Sequence, residues 1–200
     1  MLSDCGRMYA LATSAIFGDA APDEVNEELW SLDKGVNRAE RAVRRELLIH
    51  GTVRHAEIEQ GLMLAYMSVA KDIERIGDYC KNIWDLASHG VNLSGHGDSE
   101  MLRGHADEVA TLLEQGARAF VAQDEKAVHA LIPKIEMVAA GHDQLVFEYV
   151  GSDGPGSVAA PRALYFRFLK RISSHLANVL SSVVMPVDRI DFYKGPKATG

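Results

Sequence analysis

The chain has 200 residues, of which 47% are hydrophobic and 24% are charged, so its composition is that of a folded globular protein rather than a disordered one. Its formal net charge of −7 argues against a nucleic-acid-binding protein, because such proteins carry an excess of Lys and Arg where they meet the phosphates. The acidic balance favours cationic partners or metal ions.

The cysteine content and the N-terminal segment indicate a cytoplasmic protein. Only Cys5 and Cys80 are present, and their separation predicts neither a disulfide framework nor a zinc cluster. The N-terminus lacks the basic and continuously apolar regions of a signal peptide, and no segment approaches the ~18 apolar residues of a membrane span. We therefore expect a soluble chain with no direct membrane insertion.

The first half of the chain carries two long apolar stripes at helical spacing. Residues 23–48 place apolar side chains at alternating steps of three and four, which is typical of a helix packed in a bundle. A second stripe runs from Ile58 to Ala87 and predicts a helix that ends near His89 and Gly90. Residues 90–99 are rich in Gly and Ser without periodicity, which indicates a connection.

Helical patterns resume after this connection. Residues 101–122 are predicted to form one helix, and Asp124 is predicted to cap the next, which covers residues 125–150. Pro133 is expected to kink or split that helix. After a Gly-rich break, residues 159–184 predict a last helix, and the tail from Met185 is expected to lie along the surface.

No segment shows the sustained alternation of a strand, so the predicted fold is all-α, with three helices, a linker and three more helices. The two halves invite a search for an internal repeat. Residues 74–83, ERIGDYCKNI, align with residues 170–179, KRISSHLANV, at an offset of 96. The alignment pairs identical residues at Arg75 and Arg171, Ile76 and Ile172, and Asn82 and Asn178. Both segments lie in the third helix of their half, as a duplicated three-helix unit requires.

Two acidic residues one turn apart stand out in the segment KDIERIGDYCKNI, residues 71–83. Glu74 and Asp78 fall on the same side of the helix as Asp85, opposite its apolar stripe, so they are predicted to face outward. In the preceding helix, Asp33 and Asn37 repeat the one-turn spacing. Two neighbouring helices with such oxygen ligands could coordinate a metal ion across the groove between them.

The same face has a second interpretation, as a ladder of salt bridges. Lys71 and Arg75 each stand three residues before an acid, and i,i+3 pairs of opposite charge stabilise exposed helices. Spacing alone does not separate this interpretation from a metal site.

The segment KDIERIGDYCKNI resembles the signature of the PhoU family of phosphate-uptake regulators. The resemblance implies two three-helix repeats, each bearing ExxxD or DxxxD pairs that hold metal ions such as iron, zinc, manganese or magnesium. In this chain, Glu74 and Asp78 match one pair. The other is matched by Asp33 and Asn37, with Asn where the family usually has Asp, and Glu59 also falls where the family usually has Asp.

The second half departs from the family pattern. Lys170 and Ser174 occupy the ExxxD positions, and Glu136 and Ala140 occupy the DxxxD positions. Because lysine and serine cannot replace two carboxylates on a hard cation, metal is expected chiefly in the first half. The resemblance thus implies a first repeat over residues 1–92, a degenerate second repeat over residues 98–186 and a tail over residues 187–200.

The resemblance also implies a regulatory adaptor rather than an enzyme. Its expected partners are the ATPase subunit of a phosphate transporter and the sensor kinase of the phosphate response, with homodimerisation also possible. One alternative is a cytosolic domain of a sodium/phosphate symporter, and another is a metal-dependent enzyme or metal store. A ferritin-like di-iron enzyme is disfavoured because none of the eight histidines has a glutamate three residues before it.

Overall fold

The computed structural model describes residues 1–53 and 60–193, and these residues form helices with no strand. The long helices are α1 (Leu2–Ile16), α2 (Pro22–Leu48), α3 (Gln60–Ser88), α4 (Ser99–Ala122), α5 (Glu125–Val150) and α6 (Gly156–Val184). A π-helical turn, Ile49–Val53, extends α2, and a 3-10 turn, Val187–Arg189, follows α6. The predicted all-α fold is therefore confirmed.

Helix α5 runs through Pro133, so of the two expected outcomes, a kink or a split, the split does not occur. Pro133 lies on the exposed face, where water can solvate the carbonyl group that loses its helical donor. The flanking Ile132 and Ile135 are fully buried and hold both sides of the proline against the core. The predicted cap of this helix is confirmed, since the Asp124 side chain accepts a hydrogen bond from the Ala127 N–H.

The helices pack as two trios joined by two contacts. In the first trio, α3 packs against α1 and α2, and in the second, α6 packs against α5 and α4. The trios meet where α3 packs on α6 and where α1 packs on α4. The amphipathic pattern seen in the sequence explains this arrangement, because each helix turns its apolar stripe toward one shared core.

The contact between α3 and α6 repeats itself with the offset of 96 found in the sequence. Asp72 of α3 contacts His175 of α6, with the Asp72 Oδ1 and His175 Nδ1 atoms 2.6 Å apart. The residue 96 positions after Asp72 is Phe168, and the residue 96 positions before His175 is Tyr79. The rings of these two residues are also in contact, with centroids 6.1 Å apart. The equivalent residues Tyr79 and His175 stack on each other with centroids 5.8 Å apart. The two third helices are therefore related by an approximate twofold axis.

The cysteines and the tail complete the interior. Cys5 and Cys80 are both buried as free thiols, and burial raises the pKa of Cys5 to about 12, so this thiol stays protonated. After α6 the chain turns back, where Ile190 is buried and the Asp191 N–H donates to the Ser181 hydroxyl.

Within residues 1–53 and 60–193, no helix is both long enough and apolar enough to cross a membrane.

Candidate functional site

The four predicted ligands meet in one groove between α2 and α3. We call this the acidic groove, and it consists of Asp33, Asn37 and Glu40 on α2 together with Glu74 and Asp78 on α3. Asp33 and Glu40 are buried between the helices, each with 8% of its surface exposed. The Asn37 amide donates a hydrogen bond to Asp33 at 3.0 Å, which orients that carboxylate. Spacing predicted the one-turn pairs on each helix, and the packing of α2 against α3 brings the two pairs together.

A lysine closes the groove. The Lys81 ammonium nitrogen lies 2.8 Å from Asp33 Oδ1 and 2.9 Å from Asp78 Oδ1, so it bridges α2 and α3. Burial lowers the pKa of Lys81, but its hydrogen bonds with Asp33 and Asp78 outweigh that effect and raise the pKa above the usual value. Lys81 is therefore a fully charged cation held by one carboxylate from each helix.

The other end of the groove is less well neutralised. Burial raises the pKa of Glu74, and the nearby charges of Asp78 and Glu40 raise it further, while Arg75 opposes them. The Arg75 guanidinium is 3.0 Å from Asp78 but 3.7 Å from Glu74. Glu40 accepts a hydrogen bond from Arg44, one turn further along α2. Glu74 is thus the carboxylate with the weakest compensation in the groove.

The outward orientation predicted for α3 is only partly correct. Asp85 is exposed, whereas the side chains of Glu74 and Asp78 retain 18% and 26% exposure because α2 lies along this side of α3. The salt-bridge interpretation is also partly correct. Arg75 pairs with Asp78 as proposed, but the second cation is Lys81 rather than Lys71. The i,i+3 spacing of Asp78 and Lys81 is the sequence signal that could have identified it.

The groove supplies suitable donors for a hard metal ion, with one obstacle. Carboxylate oxygens from two helices and an amide oxygen form a donor set that magnesium, manganese or iron accept. The Lys81 ammonium already sits between two of these carboxylates. Across the described ranges 1–53 and 60–193, no group of three or more His, Cys, Asp or Glu side chains is arranged to hold a metal ion. A metal would therefore need the Lys81 side chain to leave. Glu59, the further residue matched to the family pattern, lies outside the described residues.

The corresponding groove of the second trio is arranged differently. Lys170 on α6, at the position equivalent to Glu74, binds Asp143 on α5 at 2.7 Å, and Arg167 approaches the same carboxylate at 3.6 Å. Ser174, equivalent to Asp78, donates its hydroxyl hydrogen bond to the Lys170 carbonyl of its own helix. Glu136 and Ala140 are exposed. The acidic pairs are thus absent from these four positions.

Two further clusters lie in the second trio, and spacing did not reveal either of them. His142 is fully buried against Phe166 and His105, and its Nδ1 atom has no hydrogen-bond partner. Burial lowers the pKa of His142 to about 4, with a smaller contribution from His105. At the start of α4, Asp98 binds the Arg162 guanidinium through both of its oxygens, at 2.6 and 2.8 Å.

A concavity between α1 and α4 measures about 910 Å³. Small residues in its walls include Gly6, Ala10, Ala106 and Ala110. The three arginines at its rim are each paired with an acid. These pairs are Arg7 with Glu28, Arg103 with Asp19 and Arg118 with Glu114.

Comparison with known proteins agrees with the resemblance noted in the sequence. Residues 1–87 match the family model of the PhoU domain, and this range contains the whole acidic groove. The chain is 25% identical over 161 residues to a "phosphate-specific transport system accessory protein PhoU homolog" of Synechocystis, which covers 78% of this chain and 71% of the relative. It is 28% identical over 110 residues to "PhoU homolog 1" of Thermotoga maritima, which covers 52% and 45% of the two chains.

A solved structure shares the fold. The crystal structure of PhoU from Pseudomonas aeruginosa superposes with a TM-score of 0.70 at 18% sequence identity, over 92% of this chain and 90% of that one. The helical architecture is therefore common to both proteins although most of their residues differ.

Proposed function

We propose that this chain, which carries a PhoU domain over residues 1–87, is an accessory and regulatory protein of a phosphate-specific transport system. The observation that carries the proposal is the domain match, since it spans the helices that form the acidic groove. Two relatives with that described role align with the chain, one of them over 78% of its length.

The proposed mode of action is binding rather than catalysis. The charged groups of the acidic groove are largely paired with one another, so this groove offers a charged surface for contact with another protein rather than an unpaired acid, base or nucleophile. By the family resemblance, the partners are the ATPase subunit of a phosphate transporter and the sensor kinase of the phosphate response. The proposal places the protein in the cytoplasm and includes self-association as a homodimer.

Recovery of partners from cells tests the proposal. The full chain, fused to a streptavidin-binding peptide, is used to capture proteins from phosphate-rich cells, and the fusion peptide alone serves as control. Specific recovery of the transport ATPase or the sensor kinase is the expected result. Recovery of neither protein, with the bait folded and abundant, contradicts the adaptor role.

Metal binding is a second, finer part of the proposal. Asp33, Asn37, Glu74 and Asp78 would hold a divalent or transition metal ion, which would link α2 to α3 through carboxylate oxygens. We expect protein purified without chelators or a histidine tag to retain metal. The double variant Glu74→Ala, Asp78→Ala should lose it, as measured by elemental analysis.

The second trio offers a matched control for this measurement. The double variant Glu136→Ala, Asp143→Ala also removes two carboxylates, from the groove that lacks the acidic pairs, and should keep the wild-type metal content. Equal metal content in all three proteins would refute the assignment of the metal to the acidic groove.

A further inference from the structure

The outward face of α2 concentrates the arginines that have no partner. In the part of the chain that the structure describes, all but three arginine side chains form an ion pair or a hydrogen bond with another side chain. The three exceptions are exposed and lie within eight residues of α2: Arg38, Arg41 and Arg45. Lys34, four residues earlier, is likewise exposed and unpaired. In a chain with a net charge of −7, this segment is a local excess of positive charge.

The first half of the same face is acidic. Asp23 and Glu27 are exposed and form no ion pair with any described residue. Helical spacing places these acids and the cations on the side of α2 opposite the buried Leu29 and Val36, with Trp30, 39% exposed, between them. We call this face the α2 stripe, and it consists of Asp23, Glu27, Trp30, Lys34, Arg38, Arg41 and Arg45.

The dipole of α2 accounts for only part of this pattern. Acids at the start of a helix and cations at its end are favourable, but the effect is confined to the first and last turns. Arg38 and Arg41 lie ten and seven residues before the end of α2 at Leu48, beyond its reach. The equivalent face of α5 lacks the pattern, since an offset of 103 takes these arginines to Gly141 and Gln144.

The α2 stripe is also unfavourable in an isolated chain. Arg41 and Arg45 are one turn apart, and like charges at this spacing destabilise a helix. Asp23 and Glu27 repeat the arrangement with negative charges. A second surface that brings acids to the arginines and cations to the acids would relieve the repulsion at both ends.

The α2 stripe is complementary to itself when two copies of α2 run antiparallel. Residues whose numbers add up to 68 then face each other across a twofold axis. The facing pairs are Asp23 with Arg45, Glu27 with Arg41, and Trp30 with Arg38. The axis repeats each pair, so the two acid–arginine pairs become four and are joined by two contacts between an indole ring and a guanidinium group.

We propose that the α2 stripe binds the α2 stripe of a second copy of this chain, antiparallel and with Lys34 at the twofold axis. The occupant is a second copy because one stripe supplies both the acids and the cations, in matching order. The inference rests on the self-association included in the proposed function, and it adds the surface and the register. Because the paired side chains are exposed, added salt should dissociate the dimer.

Charge reversal tests the pairing. At low salt and about 0.1 mM protein, where a dimer of micromolar affinity is fully formed, wild type should be dimeric by sedimentation equilibrium. The double variants Arg41→Glu, Arg45→Glu and Asp23→Lys, Glu27→Lys should each be monomeric, because like charges then face each other. An equimolar mixture of the two variants should form dimers again, since the acids of one variant meet the cations of the other.

Lys126→Glu, Lys134→Glu is the matched control. Both lysines are exposed on α5, and their substitution changes the net charge by the same amount as Arg41→Glu, Arg45→Glu. We expect this control to dimerise like wild type, which would show that position rather than net charge causes the effect. Circular dichroism would confirm that all the variants keep their helical content.

Cross-linking tests the register. Lys34 is the one position of the α2 stripe that faces its own counterpart, so Lys34→Cys should give a covalent dimer with a short bismaleimide reagent. Met137→Cys places a thiol at the equivalent exposed position of α5 and should stay monomeric. The native thiols of Cys5 and Cys80 are buried, so they should not react.

Three results would overturn the proposal. They are a monomeric wild type under these conditions, a dimer that persists in both charge-reversal variants, and a mixture of the two variants that stays monomeric. A monomeric wild type whose arginine segment captures a different, acidic protein would also overturn it and would assign this face to that partner. Recovery of the transport ATPase or the sensor kinase remains a separate measurement. A monomeric bait that recovers either protein would support the adaptor role while overturning the dimer.

Discussion

The two trios place different charges at equivalent positions of the same helical frame. In the first, Glu40 and Glu74 are close enough for the charge of one to raise the pKa of the other. In the second, an offset of 103 takes Glu40 to Asp143 and an offset of 96 takes Glu74 to Lys170, and these two form an ion pair at 2.7 Å. The acidic groove of the first trio therefore needs Lys81 as an additional cation, whereas in the second trio Lys170 itself neutralises Asp143.

This difference shows that the fold depends on the apolar stripes, whereas the charge of each groove depends on other residues. The stripes that form the core include Ile76 and Ile172, which are both fully buried and identical in the two halves. The groove residues lie at the margin of the helix contacts, where a change of charge leaves the apolar packing intact. The same helical frame therefore folds both with the acidic pairs and without them.

The largest effect that we expect from the contrast between the trios is a sensitivity of the second trio to acid. His142 lies at the position where the first trio has Ala39, by the same offset of 103. The folded protein keeps His142 neutral down to about pH 4, whereas the unfolded chain takes up the proton below its ordinary pKa of 6.5. The contribution of His142 is thus fully present above pH 6.5 and is lost as the pH falls toward 4. At pH 4.5 the stability lost in this way is on the order of 2 kcal/mol.

Urea unfolding at pH 7 and pH 4.5 measures this loss. The stability of wild type should fall by roughly 2 kcal/mol more than that of His142→Leu, since the leucine has no proton to gain. His96→Leu removes an exposed histidine from the linker, and the stability of this variant should fall as much as that of wild type. A wild-type decrease that His142→Leu fully reproduces would contradict the prediction.

A smaller effect is expected when the second groove is made to resemble the first. Lys170→Glu places two carboxylates together at the position of the present ion pair. Because the two side chains are 24% and 35% exposed, the cost should be about 1.5 kcal/mol at low salt. Chemical unfolding at two salt concentrations checks the value, since screening should reduce the loss.

The reverse exchange sharpens this test. Asp143→Lys in the Lys170→Glu background restores an ion pair with its charges exchanged. We expect it to recover most of the lost stability. No recovery would mean that Lys170 stabilises the second trio through packing of its stem rather than through its charge.

The smallest effect concerns the starts of the equivalent helices α2 and α5. Asp124 caps α5 through its side chain. The capping position of α2 is Ala21, which has no side-chain acceptor, although its N–H donates a hydrogen bond to Glu24. Asp124→Ala should therefore cost about 1 kcal/mol of unfolding free energy, and chemical unfolding measures it.

The start of α2 allows the opposite test, in which a capping side chain is added. Ala21 has an extended backbone that suits a capping residue, so Ala21→Ser should gain about 0.5 kcal/mol. A loss of stability on adding the serine would show that the two helix starts are not comparable.

Much of the site was predictable because helical spacing is a local property. Residues one turn apart share a face, so Glu74 with Asp78 and Asp33 with Asn37 follow from counting along the chain. Lys81 was missed as the central cation because its role depends on a carboxylate 48 positions earlier in the sequence. The domain boundaries at residues 92, 98 and 186, the binding of a metal and its identity stay predictions.

The sequence by itself determined the all-α fold, five of its six long helices, the linker between the trios and the offset of 96, because periodic apolar residues and Gly-rich breaks act over short distances. Only the tertiary structure decided which side chains meet. The packing of α2 along α3 buries Asp33 and brings Lys81 to it, and the packing of α5 against α6 joins Asp143 to Lys170. The reason is physical, since the energy of a charge depends on its neighbours in space and on the water that they exclude.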